Sequence, residues 1–156
     1  MHAAGDVTAI RTNPATGQNG LHVLQPFHAG DIICTFSAAE VFTKPTWLTV
    51  QLDEDRHITL QPMRLQYINH SCDPNIFFDT ANMVLVALND MGEGEEMTFF
   101  YPSTEWEMAQ PFTCHCGADN CLHLINGASQ MDPEVLKRYR LTDFIKSKLD
   151  RNLQGT

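Results

Sequence analysis

Two short stretches of this 156-residue chain concentrate side chains able to do chemistry. The first is Tyr67-Ile68-Asn69-His70-Ser71-Cys72-Asp73-Pro74-Asn75. Asn69, His70, Ser71 and Asn75 can all hydrogen-bond, Cys72 is a soft ligand, and Asp73-Pro74 turns the chain out of helix. The second is Cys114-x-Cys116-x4-Cys121, with Gly117 able to take the tight turn between the thiols. Three thiols in eight residues suit a tetrahedral soft-metal site, for which zinc is the usual occupant. A closed site needs a fourth ligand. His115 and His123 are local candidates, and Cys72 is a distant one if the fold joins the two stretches. Cys34, in an apolar β-branched run, reads as a small buried hydrophobe.

The elements that must position these groups are short strands. Residues 21–24 and 31–36 read as strands joined by a turn at 26–30, a pair expected to form a hairpin. Val41-Phe42, 48–52, 57–60, 76–78, 83–88 and 97–101 continue the β pattern, and 62–65 reads as one helical turn. Residues 1–20 read as extended chain with turns, and Glu93, Glu95 and Glu96 as a solvated turn. The C-terminal stretch changes character. Asp132-Pro133 is an N-cap with Pro at the first helical position, Val135, Leu136 and Tyr139 space as a helix face, and Thr142 caps a second helix carrying Phe144, Ile145 and Leu149.

Composition narrows the function classes. Hydrophobic content of 43% with 19% charged residues fits one soluble globular domain. A net charge of -9 argues against a binder of nucleic-acid backbone and permits a basic partner or a cationic cofactor. No apolar run approaches a membrane span, and the first ten residues carry Asp6 and no apolar core. The expectation is a cytoplasmic or nuclear protein with no membrane partner and with cysteines kept as thiols or metal ligands.

Asn69-His70-Ser71-Cys72-Asp73-Pro74-Asn75, then Gly94-Glu95-Glu96-Met97-Thr98-Phe99-Phe100-Tyr101, then Cys114-x-Cys116-x4-Cys121, resemble the SET-domain protein lysine methyltransferases with their post-SET zinc motif. The resemblance implies a SET domain over 1–113, a post-SET zinc loop over 114–128 and a C-terminal helical tail over 129–156, in the minimal free-standing form common in fungi. It implies a mainly β fold with short helices, pseudoknotted where the Asn-His-Ser segment crosses the Tyr-bearing one. S-adenosylmethionine and Zn2+ are the implied cofactors, and a lysine side chain of a protein or peptide is the implied substrate. No Gly-x-Gly-x-x-Gly fingerprint points to a Rossmann-type enzyme instead.

Carried over residue by residue, the resemblance places Gly20, His22, Asn69, His70 and Tyr101 at the cofactor, and makes Tyr101 catalytic. It makes Cys72 the fourth zinc ligand beside Cys114, Cys116 and Cys121, and puts Phe36, Phe99 and Phe100 on the substrate channel. On residue chemistry alone, Tyr101 is equally a packed aromatic beside Pro102. Phe99 stands at the family's Phe/Tyr switch and implies room for more than one methylation. Three departures stand out: only Gly20 matches the usual Gly-x-Gly, Phe36 stands where a Tyr is usual, and Phe100 where an Asp is usual. Phe36 and Phe100 motivate one alternative, a non-catalytic module that binds S-adenosylmethionine or a partner, and the minimal size motivates another, a SET-like enzyme acting on a small molecule.

Overall fold

The computed structural model describes residues 3–154. A helical turn α1 (Ala4–Val7) precedes strands β1 (Thr8–Thr12), β2 (Asn19–Val23), β3 (Ile32–Thr35), β4 (Ser37–Phe42), β5 (Val50–Asp53) and β6 (Arg56–Gln61). After a 3-10 turn at Met63–Tyr67 come β7 (Asn69–His70), β8 (Ile76–Asp79), β9 (Val84–Ala87) and β10 (Thr98–Phe99). A second 3-10 turn spans Tyr101–Ser103, and β11 (Phe112–Thr113), β12 (Leu124–Ile125), α2 (Pro133–Leu136) and α3 (Asp143–Gln154) complete the described chain. The expectation of a mainly β fold with short helices holds. Among the described residues no helix is long and apolar enough to cross a membrane.

The pairing differs from the expected hairpin between residues 21–24 and 31–36. β2 pairs antiparallel with β1, a strand within the stretch expected to be extended chain with turns. The other edge of β2 bonds to residues 94–97: the Val23 N–H donates to Glu95 O at 3.0 Å and the Met97 N–H to Leu21 O at 2.8 Å. β3 goes instead to β9, in a sheet ordered β3-β9-β8. The reason is burial. Ile33 and Cys34 are fully buried and β9 is buried along its whole length, so the two apolar runs cover each other. A third sheet is ordered β4-β6-β5, with β4 exposed along its length.

Two of the shortest elements decide the topology. β7 and β10 lie side by side in parallel register, Asn69 opposite Thr98 and His70 opposite Phe99. This is the crossing expected of the two segments. Asn75 locks it: its Nδ2 donates to Glu96 O at 2.7 Å and its Oδ1 accepts from the Thr98 N–H at 2.8 Å.

The chain leaves this crossing extended, with Phe100 at φ -88 and ψ 108, so successive side chains face opposite ways. Phe99 enters the main core, its ring 4.6 Å from Phe78, which in turn meets Phe36 edge-on at 5.4 Å. Phe100 enters a second core with Trp106, Leu136, Leu141, Ile145 and Leu149. The C-terminal segment packs there as its caps dictate. Asp132 accepts the Glu134 N–H at 2.9 Å ahead of Pro133, and Thr142 Oγ1 accepts the Ile145 N–H at 3.3 Å. The Thr142 N–H in turn donates to Ser103 O, tying the segment to the turn after Tyr101.

Candidate active site and metal centre

Cys72, Cys114, Cys116 and Cys121 converge, their Sγ atoms all within 4.8 Å of one another. A tetrahedral zinc with bonds of about 2.3 Å requires sulfur–sulfur separations of roughly 3.8 Å. The Cys72–Cys114 pair stands at 4.0 Å, so both the spacing and the all-thiol donor set fit a structural zinc. The β11–β12 pair closes the loop that carries three of the ligands, and Gly117 takes φ +77 between them. His115 and His123 are exposed and outside the cluster, which leaves Cys72 as the fourth ligand. Burial and the neighbouring thiols push Cys114 up to about 11. Burial opposes ionisation of Cys116 too, but backbone N–H groups of Cys72 and Ala118 and the neighbouring thiols outweigh it and draw it down to about 6. Four thiols crowded in this way shed protons most readily to a metal.

His70 links this centre to Tyr101. The Tyr101 N–H donates to His70 Nδ1 at 3.1 Å, so the ring's proton sits on Nε2, and Nε2 lies 3.5 Å from Cys72 Sγ. Burial holds the ring neutral by lowering its pKa to about 4. Cys72 is held from its other side as well: Tyr139 Oη and Asn120 Nδ2 donate to its carbonyl at 2.6 and 2.8 Å, and the Leu122 N–H points at its sulfur at 3.3 Å. Partners of this kind fix the orientation of a ligand.

Beside the centre runs a cleft of about 770 Å³ whose walls include Asn69, His70, Phe99, Tyr101, Glu105 and Phe112. Tyr101 packs against Phe99, His70 and Phe112 with ring centroids 4.6, 5.1 and 5.7 Å away. Its hydroxyl donates to Ile68 O at 3.4 Å. Burial, with the charge of Glu105 adding to it, pushes the phenol up to about 12, so it stays neutral. Asn69 is fixed on three sides: Gln18 Nε2 donates to its Oδ1, and its Nδ2 donates to Asn19 O and Glu96 Oε2. Glu96 is therefore part of the site and not of a solvated turn.

The structure gathers Asn69, His70, Phe99 and Tyr101 on this cleft, and Cys114 and Cys116 form part of its wall. It does not bring Gly20, His22, Phe36 or Phe100 there. A Cβ on Gly20 would come within 2.5 Å of Glu96 Oε2, so the residue leaves room for the carboxylate that holds Asn69. His22 spends Nδ1 on Gly94 O at 2.9 Å. Phe36 is sealed in the main core. Phe100, expected on the substrate channel, faces the other way and stacks on Tyr139 with centroids 3.7 Å apart. Glu105 joins the cleft wall although no motif marks it. The signal available was an acid set between Thr104 and Trp106 in a segment that otherwise reads as buried.

A family model described as SET domain matches residues 18–102. The methyltransferase flvH of Aspergillus flavus is 42% identical over 123 residues, covering 78% of this chain and 68% of flvH. A histone-lysine N-methyltransferase, H3 lysine-36 specific, of Candida albicans is 36% identical over 77 residues. That match covers 46% of this chain but only 9% of the relative. A crystal structure of KRYPTONITE in complex with mCHG DNA and SAH superposes with a TM-score of 0.57 at 21% identity, over 75% of this chain and 28% of that one. That likeness establishes the fold.

Proposed function

The chain belongs to the SET-domain family, and from that premise we propose that it is an S-adenosylmethionine-dependent N-methyltransferase whose acceptor is a lysine side chain of a protein or peptide. The observation that carries this reading is the neutral Tyr101 phenol set between Ile68 O and an aromatic wall, in one cleft with the fixed Asn69 and His70. The relatives support it: flvH is a methyltransferase, the Candida albicans protein acts on H3 lysine 36, and a second KRYPTONITE structure holds an H3(1-15) peptide together with SAH.

Asn69 and the His70 backbone would hold the cofactor, and Cys72, Cys114, Cys116 and Cys121 would hold zinc. When bound, S-adenosylmethionine supplies an electrophilic methyl on a cationic sulfur. The residues around it fit that demand. The faces of Phe99, Tyr101 and Phe112 favour a cation, and the oxygens of Tyr101 and Ile68 offer polarity without a competing nucleophile. Alignment of the reacting groups is what an in-line displacement needs most. Phe99 carries no hydroxyl, which leaves space for a second methyl. The acidic surface suits a Lys-rich protein partner in the cytoplasm or nucleus and no direct contact with nucleic acid.

The test is calorimetric titration with S-adenosylmethionine and its demethylated product, followed by labelled methyl transfer to lysine-bearing peptides. Failure to bind either form of the cofactor would sink the enzyme reading. A small-molecule amine is the second acceptor class. It is kept open because flvH, 42% identical, is a methyltransferase whose name specifies no protein substrate. Transfer to small amines with none to peptides would select it.

A further inference from the structure

Glu105 lies on the cleft wall next to the Tyr101 turn and is only 7% exposed. Its Oε2 does all the visible structural work, accepting the Gln51 N–H at 3.0 Å and the Thr104 hydroxyl at 2.6 Å. Among the described residues nothing donates to Oε1, and that oxygen keeps some solvent exposure on a residue that lines the cleft. The cleft wall carries no Lys or Arg to pair with it. Glu96, the other carboxylate on the wall, is already bonded to Asn69. Stitching β5 to the turn after Tyr101 requires one acceptor oxygen, which a neutral amide would supply without burying an acid. The second oxygen of an ionisable group, left free in a cleft that lacks a cation, marks the place of a cation that comes from outside.

We infer that Glu105 is the substrate-binding carboxylate of this cleft, receiving the acceptor as a primary alkylammonium on Oε1. The inference rests on the methyl-transfer reading for its biological meaning and on the geometry of Glu105 for the site itself. It also supplies a needed step. A lysine-type amine arrives protonated and must be neutral to react. At Oε1 one ammonium N–H bond breaks, its electron pair stays on nitrogen as the reactive lone pair, and the proton becomes the O–H of neutral Glu105. That proton later leaves to solvent through the cleft mouth, at whose rim Trp47 is 76% exposed. Burial raises Glu105 to about 7, which narrows the gap to an amine whose own proton affinity falls on desolvation. Tyr101 is the titratable neighbour that feels the charge of Glu105, and as a neutral phenol it does not compete for the proton.

The experiment compares wild type with Glu105→Gln, whose amide oxygen can accept both structural hydrogen bonds. The probe is Nα-acetyl-lysine N-methylamide, with the norleucine analogue as its uncharged control, titrated by NMR in the presence of S-adenosylhomocysteine. The wild type should bind the lysine probe at least tenfold more tightly than the norleucine one. Glu105→Gln should erase that preference while melting no lower than wild type. Equal affinity of the wild type for both probes overturns the inference, as does a Gln variant that keeps the preference. If the preference depends on Glu105 but no methyl is transferred from S-adenosylmethionine, the amine site stands and the methyltransferase reading falls. If methyl transfer is robust and the Gln variant matches wild type in kcat/KM, the amine site falls and the methyltransferase reading stands.

Discussion

Tyr101 keeps its hydroxyl neutral and directed at Ile68 O, with its backbone N–H committed to His70. The ring and the hydroxyl are separable in function. Tyr101→Phe should keep the aromatic wall and lose the oxygen, cutting kcat by about a hundredfold while the affinity for S-adenosylhomocysteine stays near wild type. Single-turnover kinetics and calorimetry check the two halves. Glu105 makes a stability prediction of its own. Its folded pKa is raised above the ordinary value of 4.5 to about 7, mainly by burial. The folded state therefore holds a proton that the unfolded state has released. The associated stability is fully present below about pH 4.5 and is lost as pH rises through about 7, a change on the order of 3 kcal/mol. Glu105→Gln removes it. The variant should melt several degrees above wild type at pH 8 and converge with it near pH 4.5, and thermal melts of both proteins at each pH measure the difference.

At the level of elements, the site depends on two-residue strands and on the segment behind them. β7 and β10 are too short to be stable by themselves, and the Asn75 side chain and the flanking Ser71 and Asn75 N–H groups complete their pairing. The C-terminal helical segment supports the same region through Tyr139, which stacks on Phe100 and donates to the Cys72 carbonyl. Tyr139→Phe removes the hydroxyl that donates to the Cys72 carbonyl and accepts, at 3.4 Å, from Asn120 Nδ2, and should cost about 1 kcal/mol. Tyr139→Ala also removes the stack and should cost about 2 kcal/mol or more. Both should speed metal loss to a chromophoric chelator, the alanine variant more so, because the backbone of a ligand is loosened in each. Denaturant titration and the chelation rate are the measurements.

At the level of the whole molecule, metal and cleft are one structure. Phe112, Cys114 and Cys116 form part of the cleft wall, and Cys72 joins their loop to the Asn69–His70 crossing. Removing zinc should therefore loosen the wall as well as the loop. Metal analysis should give about one zinc per chain, and Cys72→Ser should lose it together with about tenfold in affinity for S-adenosylhomocysteine. Cys34→Ala is the control. Its thiol is buried away from the cluster and pushed up to about 12 by desolvation, so the variant should keep both the metal and the affinity.

What the sequence determined by itself was local: three thiols at ligand spacing around Gly117, a capped helix start at Asp132-Pro133, the β-branched runs of the core, and the motif order that marks the family. Each depends on spacing within one segment, which is set by backbone geometry. The tertiary structure decided everything that depends on two segments meeting. It chose Cys72 over His115 and His123, sent β3 to β9 and away from β2, recruited Glu96 to hold Asn69, and set Glu105 on the cleft wall with one oxygen unpaired. It also turned Phe99 into the main core and its neighbour Phe100 into another. In an extended chain a single step in register reverses which way a side chain faces, and strand partners far apart in sequence set that register.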